Sequence, residues 1–478
     1  LTSGLASQLL ALQKYHRSLL ESGEYWRQSA TRFDAQGRVD ATLMSNLRIM
    51  RKTLINQISK RCDKSKEAIT SVVHSLLCRS IFIKYLEERK DSNGETVFPQ
   101  GFYSNFLESA ERYTDVLNSK SATYSLFNTL KEKFNGDTLQ VSEIEIEIIT
   151  QNDLDELRTF ILGDSELESK QLALWPFYSF DIIPIQLISS IYELFFHLSD
   201  EEDEKGTYYT PLHLVNLLMD EVYPWEGEYK DTSFFDPSCG SGIFLVEAYR
   251  RLVCRWMSQN DVHTIACDQL NLLLKSSIFG VDINEEAIRV ASFSLSLAMC
   301  DFLDPRSIWD NLSFPRLLDS NLISCDFFED DKSFNNRRYD VIVGNPPWQS
   351  NITEKTKEYL KRANCVIGDK QIAQAFSIKC SELCKTSGIV CLLMPSKGLL
   401  FNRSDKSRTY RANLFSDNNV LAIINLSVYR KFLFDHASGP AAAIIYTPKR
   451  EDINQPIVYC TPKPIYTIED RPVQYTCQ

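Results

Sequence analysis

Phe234-Phe235-Asp236-Pro237-Ser238-Cys239-Gly240-Ser241-Gly242, running into the apolar segment Ile243–Leu252, decides the fold. It reads as a strand, a glycine-rich turn and a helix, the opening βα unit of a dinucleotide-type sheet. Gly240 and Gly242 let the backbone turn tightly and approach a ligand. The turn is not G-x-G-x-x-G, which disfavours a nicotinamide cofactor. Asp236 at the strand end repels a pyrophosphate and suits a cationic or hydroxyl-rich ligand.

Working outward, Ile278–Val281 is a second strand ending in Asp282, placed to take ribose hydroxyls. The 46 residues from Asp236 to Asp282 exceed the usual ~20, so a helical insertion is expected over Cys254–Ser277. Leu322–Cys325 is a third strand, leading into Asp326-Phe327. Val341-Ile342-Val343 and the turn residue Gly344 make a fourth, opening into Asn345-Pro346-Pro347-Trp348. Two prolines remove two amide donors and leave carbonyls unclaimed by a ladder. An Asn oxygen beside a free carbonyl is a pair of acceptors suited to an –NH2 group, and Trp348 offers a flat face for a planar base. Asn-Pro-Pro taken alone also fits an ordinary turn. A polar lysine-bearing loop, a helix over Gln371–Lys385, and strands at Gly388–Met394, Asn419–Leu426 and Ala441–Tyr446 follow. Strands alternating with helices give an α/β, doubly wound domain.

Upstream, residues 1–198 hold few Gly and Pro and read as an all-α helical domain. Apolar residues recur at helical spacing over Glu67–Lys90, Asn46–Lys66 reads as a basic helix, and helical groups cover Ser104–Phe134 and Ile182–Phe196. Asp164 with Glu168-Ser169-Lys170 is the nearest approach to an acidic nuclease site, and its short spacing argues against one. The acidic run Asp200–Glu204 reads as a linker, and Thr210-Pro211 as a helix entry with the threonine hydroxyl as cap.

A chain of 478 residues accommodates two or three domains, and 44% hydrophobic with 24% charged residues is a globular balance. The sequence has no run of ~18 uninterrupted apolar residues, so no membrane partner is expected. Thirteen scattered cysteines without C-x-x-C read as reduced thiols of a cytoplasmic protein, and no metal site is expected. The net charge of −11 leaves nucleic-acid contact to local basic clusters. Three are visible: Asn46–Lys66, Gln349–Arg362 and Lys397–Arg411. Each reads as a phosphate contact or as a solvated face.

Tyr208-Tyr209-Thr210-Pro211, Asp236–Gly242, Asp282, Asp326 and Asn345-Pro346-Pro347-Trp348, in this order, resemble the motifs of γ-class DNA adenine-N6 methyltransferases. The likeness is to the type I and type IIG restriction–modification kind and covers roughly residues 205–450. It implies a Rossmann-like methyltransferase domain over 205–450 after the helical domain, with 451–478 a connector toward a target-recognition domain. S-adenosyl-L-methionine is the implied cofactor. Gly240 and Gly242 would approach it, Asp236 and Thr210-Pro211 would flank its methionine portion, Asp282 would take its ribose hydroxyls and Asp326 its adenine amine, with Tyr209 and Pro237 as further cofactor-binding residues. Phe327 and Phe376 would pack its ring, core packing being the alternative for both.

Asn345 and the Pro346 carbonyl would accept from the target amine, with Pro347 and Trp348 completing the catalytic motif. Trp348 would stack on one face of the base and Phe434 on the other, with Phe432 as rival. The implied substrate is double-stranded DNA with a flipped adenine, and the implied partner a target-recognition domain or specificity subunit. Methyltransferases of the release-factor glutamine amide or of guanine N2 in RNA share Asn-Pro-Pro-aromatic. They lack the helical preamble and usually the Thr-Pro. A non-catalytic assembly subunit with this fold is the third reading.

Overall fold

The computed structural model describes residues 39–91, 93–137, 139–163, 210–348, 352–430, 433, 439–449, 456–466 and 472–476. The expected helix at Ile182–Phe196, the rejected Asp164 cluster and the Asp200–Glu204 linker lie outside them.

The eight-stranded sheet has the order β3-β2-β1-β4-β5-β7-β6-β8. Its strands are β1 Phe234–Asp236, β2 Ile278–Asp282, β3 Leu322–Ser324, β4 Tyr339–Gly344, β5 Cys384–Pro395, β6 Asn418–Asn425, β7 Ala441–Pro448 and β8 Val458–Cys460. Strands β1 to β5 pair parallel with one another, whereas β7 is inserted antiparallel between β5 and β6. Both faces are covered, as the doubly wound reading requires. Val341, Val343, Cys391 and Leu393 enter one core, while Ile342, Val390 and Leu392 enter the other. This two-residue alternation is why the apolar runs of β4 and β5 are almost unbroken.

Before the sheet, helices at Val39–Ser59, Lys66–Glu88, Lys120–Phe134 and Gln151–Leu162 pack together. Lys66–Glu88 is started by the Ser65 hydroxyl, which accepts from the Ala68 amide. It is long and apolar enough to span a membrane, yet it is mostly buried in the protein. Its Arg79 is paired with Glu145. Phe82 meets Phe134, Phe293 and Phe314 edge-on, joining these helices to Glu285–Cys300 behind β2. The Asp137 carboxylate accepts from the Ser292 hydroxyl and the Leu317 and Leu318 amides.

Several expectations are corrected. The loop after Trp348 contains a helix, Glu354–Arg362, capped by Thr353. The Ser104–Phe134 group is broken into a 3-10 turn at Tyr103–Asn105, a short helix Tyr113–Val116 and Lys120–Phe134. The basic helix ends at Ser59 rather than Lys66. The connector holds β8, which extends the sheet parallel to β6, and an antiparallel pair Lys463–Tyr466 with Pro472–Thr476. The helical insertion is real: Ile243–Gln259 overruns its expected end and Cys267–Ser277 follows.

Candidate active site at the carboxyl ends of β1, β2 and β4

The strand order reverses direction between β1 and β4, and ligands of such sheets bind at that crevice, outside the carboxyl ends. The sequence motifs converge there. Asp236 ends β1, is only 1% exposed and accepts the Ser238 amide at 3.0 Å. A Cβ on Gly344 at the end of β4 would stand 2.5 Å from the Asp236 Oδ1, so only glycine admits this carboxylate between the strands. The turn reaches left-handed φ values of +51° at Gly240 and +84° at Gly242, the latter starting helix Ile243–Gln259. A Cβ on Gly242 would also press on Ala291 at 3.0 Å.

Asp282 receives the Gly240 amide on Oδ2 at 3.0 Å and the Asn284 amide on Oδ1 at 2.9 Å. Burial raises its pKa above the usual aspartate range, against those amide bonds, which favour the ionised form. Asp326, two residues past β3, accepts the Phe328 amide at 2.9 Å. Three carboxylates at adjoining strand ends make the crevice a place for positive charge. Cys239 sits among them, its thiol pushed up by burial and then by Asp236 and Asp282, so it stays protonated rather than nucleophilic.

Asn345 follows β4. Its side-chain amide donates to the Thr210 hydroxyl at 3.1 Å, and its backbone carbonyl accepts from the Ser238 hydroxyl at 3.2 Å. Its Oδ1 is buried with no hydrogen-bond partner among the described residues. A buried acceptor of this kind costs about 1–3 kcal/mol unless something donates to it. Thr210 is therefore not the helix cap that was expected. Pro211 occupies that position in front of Leu212–Val222, and the threonine hydroxyl turns to Asn345. Pro346 is buried and Pro347 half-buried. Trp348 is half-buried, and its indole N–H donates to the Leu393 carbonyl at 3.4 Å.

Phe327 and Phe376 stack on each other at 4.8 Å inside a buried aromatic group with Phe328 and Phe334. Their faces are thus turned to one another, the core packing that stood as the alternative for both. Tyr209, Phe434 and Phe432 lie outside the described residues.

Two residues at the site escaped the sequence reading. Ile283, directly after Asp282, is 70% exposed, a large apolar side chain left open at the mouth of the crevice. Its position after the strand-end acid was the available signal. Lys379 is only 3% exposed and donates to the Phe327 carbonyl at 2.5 Å, with its ammonium also near the rings of Phe327, Phe328, Phe334 and Tyr359. It holds the Asp326-Phe327 loop from below. A concavity of about 470 Å³ lined by Ser233, Asp340 and Lys385 lies at the opposite, amino-terminal edge of β1 and β4 and takes no part in this site.

The residues fit S-adenosyl-L-methionine: carboxylates at three adjoining strand ends suit a cationic, hydroxyl-bearing ligand, and the Gly240–Gly242 turn lies beside them with both glycines at left-handed φ. Residues 276–432, from β2 to beyond Asn345, match the model of the Eco57I restriction-modification methylase family. The type II methyltransferase M.VspI of Vibrio sp. (strain 343) is 24% identical over 253 residues, 53% of this chain and 51% of that protein. The adenine-specific methyltransferase PglX of Streptomyces coelicolor is 35% identical over 96 residues, 19% of this chain and 7% of that protein. Among solved structures, the type IIL restriction-modification enzyme MmeI in complex with DNA shares the fold. Its TM-score is 0.56 at 14% identity, covering 91% of this chain and 60% of that one. The chain spans about half, or less, of the length of the curated relatives it matches.

Proposed function

We propose that this chain transfers a methyl group from S-adenosyl-L-methionine to the N6 amine of adenine in a specific DNA sequence. It would serve as the modification module of a restriction–modification or related phage-defence system. One observation carries the reading: the buried, unpartnered Oδ1 of Asn345 at the switch point of the sheet.

When bound, the cofactor supplies a methyl group made electrophilic by its sulfonium. Asp236 and the Gly240–Gly242 turn would hold its methionine portion, Asp282 its ribose, and Asp326 its adenine amine. The exposed Ile283 would offer the bound cofactor an apolar wall. An adenine amine is a weak nucleophile because its lone pair is delocalised into the ring. Asn345 Oδ1 and the Pro346 carbonyl would accept hydrogen bonds from its two N–H groups, which favours a pyramidal nitrogen with a localised lone pair. As the N–CH3 bond forms, the sulfur would leave as a neutral thioether and the methylated amine would shed one proton to solvent. The Thr210 hydroxyl keeps the amide turned so that its oxygen, not its nitrogen, faces the base. Direct in-line transfer then needs position rather than a covalent intermediate. The target base must leave the duplex to reach this recess, where Trp348 stacks on it. Phe434 is proposed for the opposite face, and a target-recognition domain or specificity subunit for reading the sequence.

The decisive experiment is transfer of tritium from labelled S-adenosyl-L-methionine to duplex DNA, RNA and a release factor in parallel, with nucleoside analysis of the product. N6-methyladenine in DNA is expected. Label in glutamine or guanine, or none anywhere, would overturn the proposal. Asn345→Ala should lower methyl transfer by ~100-fold or more while leaving cofactor affinity within about twofold, because, of the two ligands, its side-chain oxygen would meet only the target amine.

A further inference from the structure

The three basic clusters of the sequence are not equivalent in the structure. In the first, Arg51 is buried and donates to His74 at 2.9 Å and Arg61 is spent on Asp153, which leaves Arg48, Lys52 and Lys60 exposed on the helix Val39–Ser59 and its end. In the second, Lys355 faces Glu358 at 3.6 Å, Lys357 faces Glu354 at 2.5 Å, and Arg362 is paired with Asp330. In the third, Lys397, Arg403, Lys406 and Arg408 are all exposed, and no ion pair engages any of them among the described residues.

The third cluster is also placed by the site. Gly344 lies opposite Leu392 of β5, and Trp348 donates to the Leu393 carbonyl, so Pro395 and Ser396 leave the sheet beside the Asn345 motif. Ser396 is pinned there by its amide to the Pro440 carbonyl and by its hydroxyl to Ser427. The helical turn Lys397–Phe401 follows at once, closed by the Asn402 amide on the Lys397 carbonyl and tied down by Gln374, which donates to the Gly398 carbonyl. Leu399 on this turn is buried, yet Phe401 is 53% exposed. Phe401 thus sets an exposed ring among the four exposed cations. Helix Asp405–Asp417, capped by Ser404, carries Lys406 and Arg408 in its first turn.

Resting on the methyltransferase reading, we propose that the Lys397–Arg408 rim is the DNA grip of this chain. Lys397, Arg403, Lys406 and Arg408 neutralise backbone phosphates beside the target base, and Phe401 packs into the stack where the flipped base has left. Each neutralised phosphate releases counterions, so the rim must show itself in the salt dependence of binding. Phe401 contributes no charge and must show itself in the duplex-specific part of the reaction instead.

The test uses the full chain and a fluorescent random-sequence duplex titrated from low to moderate salt. Wild type should give a linear log–log dependence. Replacing the four cations by glutamine should flatten its slope by roughly 3–4, at about 0.9 per phosphate. Each single variant should remove about one unit, so the result does not depend on one multiply substituted protein folding well. Cofactor affinity by calorimetry should not change in any of them. Phe401→Ala should keep the wild-type slope, lose ~10-fold in methyl transfer to duplex, and retain transfer to a single-stranded oligonucleotide whose base needs no flipping. An unchanged slope in the charge variants, or equal losses on duplex and single strand for Phe401→Ala, would overturn the grip while leaving the methyltransferase reading intact. Wild-type protein that methylates no DNA would bring down both, and tighter binding to RNA than to duplex would replace DNA as the occupant.

Discussion

Gly344 and Asn345 are neighbours with opposite requirements: one must have no side chain, the other must present an unsatisfied one. Gly344→Ala forces a methyl group to within 2.5 Å of the Asp236 oxygen. It should cost about 1–3 kcal/mol in denaturant unfolding, as overpacking does, and reduce cofactor binding because Asp236 must move. Ile283→Ser tests the opposite case, since an exposed side chain contributes little to folding. Stability should stay within about 0.5 kcal/mol, while cofactor affinity measured by calorimetry should fall roughly 10-fold. The raised pKa of Asp282 adds a pH signature. Its carboxylate is lost on acidification at a higher pH than an ordinary aspartate, so cofactor affinity should begin to fall above the usual aspartate range of about 4. These residues, Ile283 excepted, were legible in the sequence because their chemistry is local. A strand end, a glycine turn and an Asn-Pro-Pro each carry their meaning within a few positions. Whether an aromatic side chain faces a ligand or its neighbours is not local, and Phe327 and Phe376 turned to each other.

At the scale of elements, the helix expected over Gln371–Lys385 is found at Ile372–Leu383, but the fate of its lysine was not legible. A lysine on an amphipathic helix reads as solvated, yet Lys379 is enclosed by four aromatic rings and donates to the loop after β3. Burial lowers its pKa to about 8; Asp330, Glu382 and Cys380 oppose that shift, and Arg362 adds to it. Below pH 8 the folded and unfolded chains are both protonated here, and the cost of burying the charge is fully present. Between about 8 and the ordinary lysine value of 10.5 only the unfolded chain keeps the proton, so this group's contribution to stability rises with pH. Lys379→Met removes the titration. The difference in unfolding free energy, wild type minus variant, should therefore climb by ~1–3 kcal/mol between pH 7.5 and 10, and a flat or falling difference would show the ammonium to be solvated. Helix Glu354–Arg362 escaped for a related reason: only Thr356, Tyr359 and Leu360 are buried, too narrow a stripe to stand out among its charges. The antiparallel insertion of β7 was equally hidden, since strand direction is written in connection geometry rather than in residue type.

For the whole molecule, the helical character of residues 39–162 was legible, but the core they share with the sheet region was not. Composition suggested a separate preamble. In the structure the two regions share one core, with Phe82 meeting Phe134, Phe293 and Phe314 edge-on, Phe314 tilted against Phe134, and Asp137 satisfying backbone amides at Leu317 and Leu318. Phe293 lies on the helix that begins just after Asp282, so the helical region buttresses the strand end assigned to the ribose. Phe82→Ala should cost about 3–5 kcal/mol, the usual range for emptying a large aromatic site in a core. Because the cavity opens between the two regions, the loss should appear in a single shared unfolding transition rather than in one of two. Calorimetry of the variant decides this: one transition moved down by several degrees is expected, whereas a split endotherm with the cofactor-stabilised part unmoved would mean that the two regions fold independently.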